Sequence, residues 1–170
     1  MEVKALQSFS GKEKTNEKIV EAVLLENYDR YYRLAYSYVK NEADAADIVQ
    51  NGAYKAIRNS KSLRNVEFAG TWIYRIMLNE IFRFCKKKGP VVVSLEDIPV
   101  EQGKEDVYED IDLKEALDSL NAEDKAVIQL RFFEDKSLNE IAEILGENLS
   151  TVKSRLYRGL RKLKLQLAEE

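Results

Sequence analysis

The 170-residue sequence has no histidine, one cysteine and two prolines. Without histidine the chain lacks the commonest general base and the commonest metal ligand. The lone thiol, Cys85, excludes an intrachain disulfide framework and predicts a reducing, cytoplasmic setting. No apolar run is long enough to cross a bilayer, and the polar opening MEVKALQSFSGKEK predicts no secretory leader. There is no Gly-rich phosphate loop, no cysteine cluster and no carboxylate pair with a partner. The expectation is a non-enzyme with no catalytic residue, no metal, no cofactor and no small-molecule substrate.

What is present predicts an all-α protein. Hydrophobic residues make up 45% of the chain, enough for packed cores. Residues 1–15 are polar and predict a flexible N-terminus. From Asn16 the apolar residues Ile19, Val23, Leu24, Tyr28, Tyr31, Tyr32, Ala35, Tyr36 and Val39 recur at helical spacing. They predict one long helix, or two with a bend near Asn27. Asn41, with Asp44 three positions on, predicts a capped second helix that turns Ile48, Val49, Ala53 and Ile57 inward. Its outer face carries Asp44, Asp47, Gln50, Asn51 and Lys55, either plain solvent surface or a docking face for a basic partner. Gly52 sits mid-helix, where glycine costs about 1 kcal/mol against alanine; close approach of another helix would explain it.

A polar loop, Lys61 to Glu67, leads to a third helix opened by Asn65. Its expected apolar stripe is Phe68, Trp72, Ile73, Ile76, Met77, Ile81 and Phe84. Its polar side is Arg75, Asn79, Arg83 and Lys86 to Lys88. Gly89 and Pro90 stop it. These elements predict a first domain over 16–88. Residues 89–111 hold both prolines and predict an acidic, extended linker. The second domain, 112–170, starts with a short helix. The next is capped by Asn121 and Asp124, with Ala126, Val127, Leu130, Phe132 and Phe133 as expected core.

The last stretch, SLNEIAEILGENLSTVKSRLYRGLRKLKLQL, carries the strongest signal. Ser137 with Glu140 forms a capping box, and Gly146 ends the helix. Asn148 or Ser150 caps the next helix, whose expected inner side is Val152, Leu156, Leu160, Leu163 and Leu167. No acid occurs from Asn148 to Ala168, while Lys153, Arg155, Arg158, Arg161, Lys162 and Lys164 are cations. A short helix, a glycine turn and a basic second helix is the layout of a helix-turn-helix. The net charge of −3 hides an uneven distribution: residues 1–88 are net +5, 89–124 net −10 and 125–170 net +2. Local patches can still bind phosphate, but the acidic block predicts a protein that meets DNA only with help.

Three stretches together resemble the extracytoplasmic-function sigma factors. DAADIVQNGAYKAI and TWIYRIMLNEIFRFCKKK resemble region 2 of that family. ALDSLNAEDKAVIQLRFFEDKSLNEIAEILGENLSTVKSRLYRGLRKLK resembles region 4. The resemblance implies a factor that binds core RNA polymerase, at the β′ clamp helices and the β flap, and directs it to promoter DNA. It implies polymerase contacts at Asp44, Asp47, Gln50 and Asn51. It implies reading and melting of the −10 element by Arg64, Asn65, Phe68, Trp72, Arg75 and Asn79, with Trp72 contacting DNA or only packing. It implies −35 contacts at Ser150, Thr151, Lys153, Ser154, Arg155, Tyr157, Arg158 and Arg161, with Arg155 and Arg161 touching backbone. A membrane-anchored anti-sigma factor, holding the chain at the inner face of the membrane until an envelope signal arrives, is implied as well. The chain departs from the family pattern at Leu78, where arginine is frequent, and at Arg83, where aspartate is expected. The alternatives are an autonomous helix-turn-helix regulator, which would ask for a dimerising or sensing domain, and a helical interaction protein, which would leave the basic helix unexplained.

Overall fold

The structure is a computed structural model that describes the backbone of residues 2–89 and 107–168, with side chains over 14–89 and 112–168. Every described element is helical: α1 (Glu2–Val39), α2 (Glu42–Arg58), α3 (Ala69–Lys88), α4 (Val107–Asp118), α5 (Ala122–Phe132), α6 (Leu138–Leu145) and α7 (Leu149–Ala168), with 3-10 turns at Ser60–Ser62 and Val66–Phe68. They form two compact units, residues 1–90 and 91–170. Most of the expected linker, with its VVVSL run, lies outside the described residues. α4 begins ahead of the expected domain start at 112.

In the first unit α1, α2 and α3 pack on one another. α1 starts at Glu2, where the sequence had suggested a loose tail, and it runs unbroken through Asn27, whose amide donates to the Val23 carbonyl at 3.0 Å. Its inner face buries Val20, Tyr31, Leu34, Ala35 and Val39. Tyr31 meets Tyr74 of α3 edge to face, with ring centroids 5.0 Å apart, a favoured aromatic geometry. Asn41 caps α2, its side chain accepting from the Asp44 N–H at 2.9 Å. α2 buries Ala45, Ile48, Val49, Gly52 and Ala56, with Ala53 and Ile57 half-buried. Gly52 is the contact point with α3, since a Cβ there would overlap the Met77 sulfur. The suspicion raised by a mid-helix glycine is thereby answered.

α3 does not start at Asn65. That residue caps the 3-10 turn, accepting from the Glu67 N–H at 3.0 Å, and the α-helix begins at Ala69. Its stripe is therefore shifted from expectation: Ile73, Tyr74, Met77, Leu78 and Ile81 are buried, while Phe68 stands exposed on the turn. Leu78 is core, so arginine at that position would meet an apolar interior here. Glu80 is also buried; it accepts from Lys55 of α2 and forms an ion pair with Arg83 at 3.3 Å. A buried carboxylate needs such partners. An aspartate at 83 would face it as a like charge one turn away, which accounts for the second departure.

In the second unit α5 lies at the centre, buried continuously from Asp124 to Leu130. Phe132 and Phe133 are exposed, contrary to expectation, because α5 ends there and the chain turns away, the Phe133 N–H closing on the Gln129 carbonyl at 2.9 Å. α7 covers α5 with Val152, Leu156, Gly159 and Leu163. Leu160 and Leu167, expected inside, are exposed, since the packed stripe steps through Gly159 instead. Alanine-sized atoms at Gly159 would stand 3.2 Å from Ile128 Cγ1 and 3.3 Å from Cδ1. Glycine there lets two helices approach at backbone distance. Gly159→Val should destabilise the second unit by about 1–3 kcal/mol through overpacking, measured as a lower melting midpoint; an unchanged midpoint would show that Ile128 moves aside freely.

Candidate nucleic-acid interface

The helix-turn-helix is built by its caps. Ser137 and Glu140 close a complete capping box, the Glu140 carboxylate accepting from the Ser137 N–H at 2.8 Å. That bond holds the Glu140 carboxyl below the usual carboxylate range. α6 ends at Gly146 in the left-handed conformation, φ 66° and ψ 32°. The Gly146 and Glu147 N–H groups turn back onto the Glu143 and Ala142 carbonyls, which satisfies the helix end. Asn148, rather than Ser150, caps α7 by accepting from the Thr151 N–H at 2.8 Å. These caps set the rotation of α7. With Val152, Leu156, Gly159 and Leu163 turned inward, Ser150, Lys153, Ser154, Tyr157 and Arg161 lie exposed on the outer surface, and Thr151 is half-buried.

The two remaining expected contacts have a different standing. Arg155 is tied within the unit: Nε and Nη2 donate to Glu147 at 2.9 and 2.8 Å, and Nη1 to Asp124 at 3.3 Å. Its side chain is 20% exposed. Expected at the DNA backbone, it fastens α7 to α5 and to the turn in this structure. Arg158 is half in that role. It forks onto Asp124, Nε to Oδ2 at 2.7 Å and Nη2 to Oδ1 at 2.6 Å, while its side chain stays 58% exposed. Asp124 is almost fully buried. Burial alone would raise its carboxyl, but hydrogen bonds and charge from Arg158 and Arg155 outweigh it and hold the group below its usual range. Asp124 also sits in the first turn of α5, where its N–H is capped by Asn121 at 2.8 Å and the helix dipole favours an anion.

The first unit presents two further surfaces. On α3, Trp72, Arg75 and Asn79 follow one another at steps of three and four, which places them on one face, and Phe68 stands on the turn just before the helix. Phe68, Arg75 and Asn79 are exposed and Trp72 is half-buried. Arg64 and Asn65, both exposed, lie on the turn leading into that face. On α2, Asp47, Gln50 and Asn51 are exposed together, whereas Asp44 pairs with Lys88 at 2.8 Å. Tyr54, three residues past Asn51, is 64% exposed on the same face. Among the described residues no helix is long and apolar enough to cross a membrane, and no group of acidic or cysteine side chains is arranged to hold a metal.

Comparison with known proteins meets this geometry on both units. The Sigma-70 region 2 model matches residues 24–90 and the Sigma-70 region 4 model matches residues 116–165. The RNA polymerase sigma factor SigV of Bacillus subtilis is 44% identical over 162 residues, covering 94% of this chain and 97% of its own. The ECF RNA polymerase sigma factor SigW of the same organism is 30% identical, covering 83% of this chain and 84% of its own. Among solved structures, the sigma factor RpoE of Bartonella quintana, crystallised with the anti-sigma factor NepR, superposes with a TM-score of 0.71 at 26% identity. That superposition covers 87% of this chain and 96% of that one.

The Asp124 clamp has a pH signature. A carboxyl depressed in the folded state stabilises the fold above its unfolded pKa, and the gain is lost as pH falls through the folded value. The second unit should therefore lose stability as pH drops below about 4. Asp124→Asn should be less stable at neutral pH and show a flatter acid limb in thermal melts from pH 7 to 2. Parallel acid limbs would show that the carboxylate contributes nothing.

Proposed function

Because this chain belongs to the extracytoplasmic-function class of the sigma-70 family of RNA polymerase sigma factors, we propose a division of labour between its two units. The protein is a transcription initiation factor, not an enzyme, and it directs RNA polymerase to promoters. The observation that carries the finer reading is that each unit turns a polar, cation-bearing helix face outward, in region 2 to region 4 order along one chain. The α2 face with Asp47, Gln50 and Asn51, flanked by Asp44, docks on the clamp helices of the polymerase β′ subunit. The turn and α3 face, with Arg64, Asn65, Phe68, Trp72, Arg75 and Asn79, read and melt the −10 element. Exposed aromatics beside cations suit unstacked bases and their phosphates. α7 enters the major groove at the −35 element, where Lys153, Ser154 and Tyr157 face base edges while Ser150, Arg158 and Arg161 meet phosphates. The β flap receives the second unit.

A partner that holds the factor inactive also fits. The sigma factor RpoE of Bartonella quintana is bound to an anti-sigma factor. An anti-sigma factor anchored in the membrane would keep this chain at the cytoplasmic face until released. The occupant would compete with polymerase for the same outward surfaces.

Two variants separate the roles. Lys153→Ala with Arg161→Ala should cut −35-dependent transcription roughly tenfold or more, and flatten its salt dependence by about one phosphate per lost cation. It should leave co-elution with core polymerase intact. Arg158 is kept in this test because removing it also strips Asp124 of a partner. Asp47→Ala, Gln50→Ala and Asn51→Ala together should abolish co-elution on size exclusion while the fold melts normally. Loss of co-elution in the α7 variant, or retention in the α2 variant, would reverse the assignment of faces. Tight, salt-sensitive binding of the free chain to a palindromic site would point instead to an autonomous regulator.

A further inference from the structure

We propose that Asn16 is a positioning residue for promoter reading: from α1 it fixes the segment between α2 and α3 that presents Arg64 and Asn65. The proposal rests on the reading that this segment contacts the −10 element. Asn16 is 4% exposed, though it lies on a stretch of α1 with exposed neighbours on both sides. Its amide nitrogen donates to the Ser60 carbonyl at 3.2 Å and to the Leu63 carbonyl at 3.0 Å. An amide NH2 has two donors, and both are used on the turn that follows α2. Ser60 and Leu63 are themselves buried, while every residue from Arg64 to Phe68 is exposed. Asn16 thus grips the chain at the last point before it emerges.

The other bonds of the segment are local. Asn59 donates to the Lys55 carbonyl, Ser62 to the Asn59 carbonyl, and the Glu67 N–H to Asn65. They shape the turn; its seat on the bundle is set by the buried Leu63 side chain and by the long-range tie from Asn16 of α1. Without the amide, the Ser60 carbonyl would keep the Leu63 N–H at 3.1 Å, but the buried Leu63 carbonyl would lose its Asn16 donor. That costs free energy and would drive this end of the turn towards water, shifting the residues that follow. Base reading tolerates little displacement, because hydrogen bonds to a base edge demand close geometry. Asn16 lies ahead of residue 24, where the region 2 match begins.

The test uses holoenzyme reconstituted with bacterial core polymerase. Its template is a promoter mapped with the unaltered protein, randomised across the −10 element. Transcripts are sequenced to give a base preference at each position. Asn16→Ala should lower the preference for the favoured base roughly tenfold at one or more positions, with co-elution with core retained and −35 preference unchanged. Asn16→Ser, which preserves a small donor but cannot reach both carbonyls, gives a second variant should alanine fail to fold, and is expected to show the same direction. A uniform fall in transcription with the base preferences intact, or no change in either variant, would overturn the proposal and leave Asn16 a purely structural residue. Arg64→Ala and Asn65→Ala serve as the control. If they leave the −10 preferences unchanged, the reading of the segment fails; if they alter them and Asn16 variants do not, only the positioning role fails.

Discussion

A helix that starts without a cap leaves four backbone N–H groups unpaired, and this chain meets that demand repeatedly with asparagine. Asn41 closes α2, Asn121 closes α5 and Asn148 closes α7; Asn65 does the same for the 3-10 turn before α3. Each cap sets the residue at which a helix begins, and so the rotation at which every later side chain emerges. Moving the start of α7 by one residue would turn each outer position by about 100°. Lys153, Tyr157 and Arg161 would then face the wrong way. The orientation of the outer faces thus depends on a few uncharged amides at the helix starts.

The caps at Asn41, Asn121 and Asn148 were legible because each spans only a few residues. The capping box at Ser137, the left-handed Gly146 and the burial of Ile48 and Val49 on α2 follow from local spacing, and the structure has them where spacing puts them; Ala53 and Ile57 are only half-buried. Errors arose where periodicity was carried past the edge of a partner. Phe132 and Phe133 continue an apolar run after α5 has ended, and Leu160 continues a leucine repeat whose packed member is Gly159. A repeat in sequence tells which residues share a side; only the neighbouring helix decides how wide the covered strip is. The same limit hid the start of α1, since a helix without an apolar stripe leaves no periodic trace.

Charge was the least legible property. Six cations on α7 read as one basic surface, yet Arg155 is tied to Glu147 and Asp124, and Arg158 to Asp124. Asp124 lies more than thirty residues upstream of both, in a stretch that reads as part of an acidic block. Asn16 and Glu80 pose the same difficulty, because their partners belong to other helices or to a turn far along the chain. Residues that bind and residues that hold the binders in place use the same side-chain chemistry. They separate only when the partners are known.

The contact between Gly52 and Met77 ties two positions into one volume. The methionine sulfur occupies the space that any side chain at 52 would need, and Met77 is itself buried. Neither residue is then free to drift alone. Among relatives of this protein, a larger residue at 52 should travel with a shorter one at 77, and a glycine with a long, flexible one. Oxidation of Met77 would break the contact, because the sulfoxide oxygen would need room in a space already too tight for a methyl group.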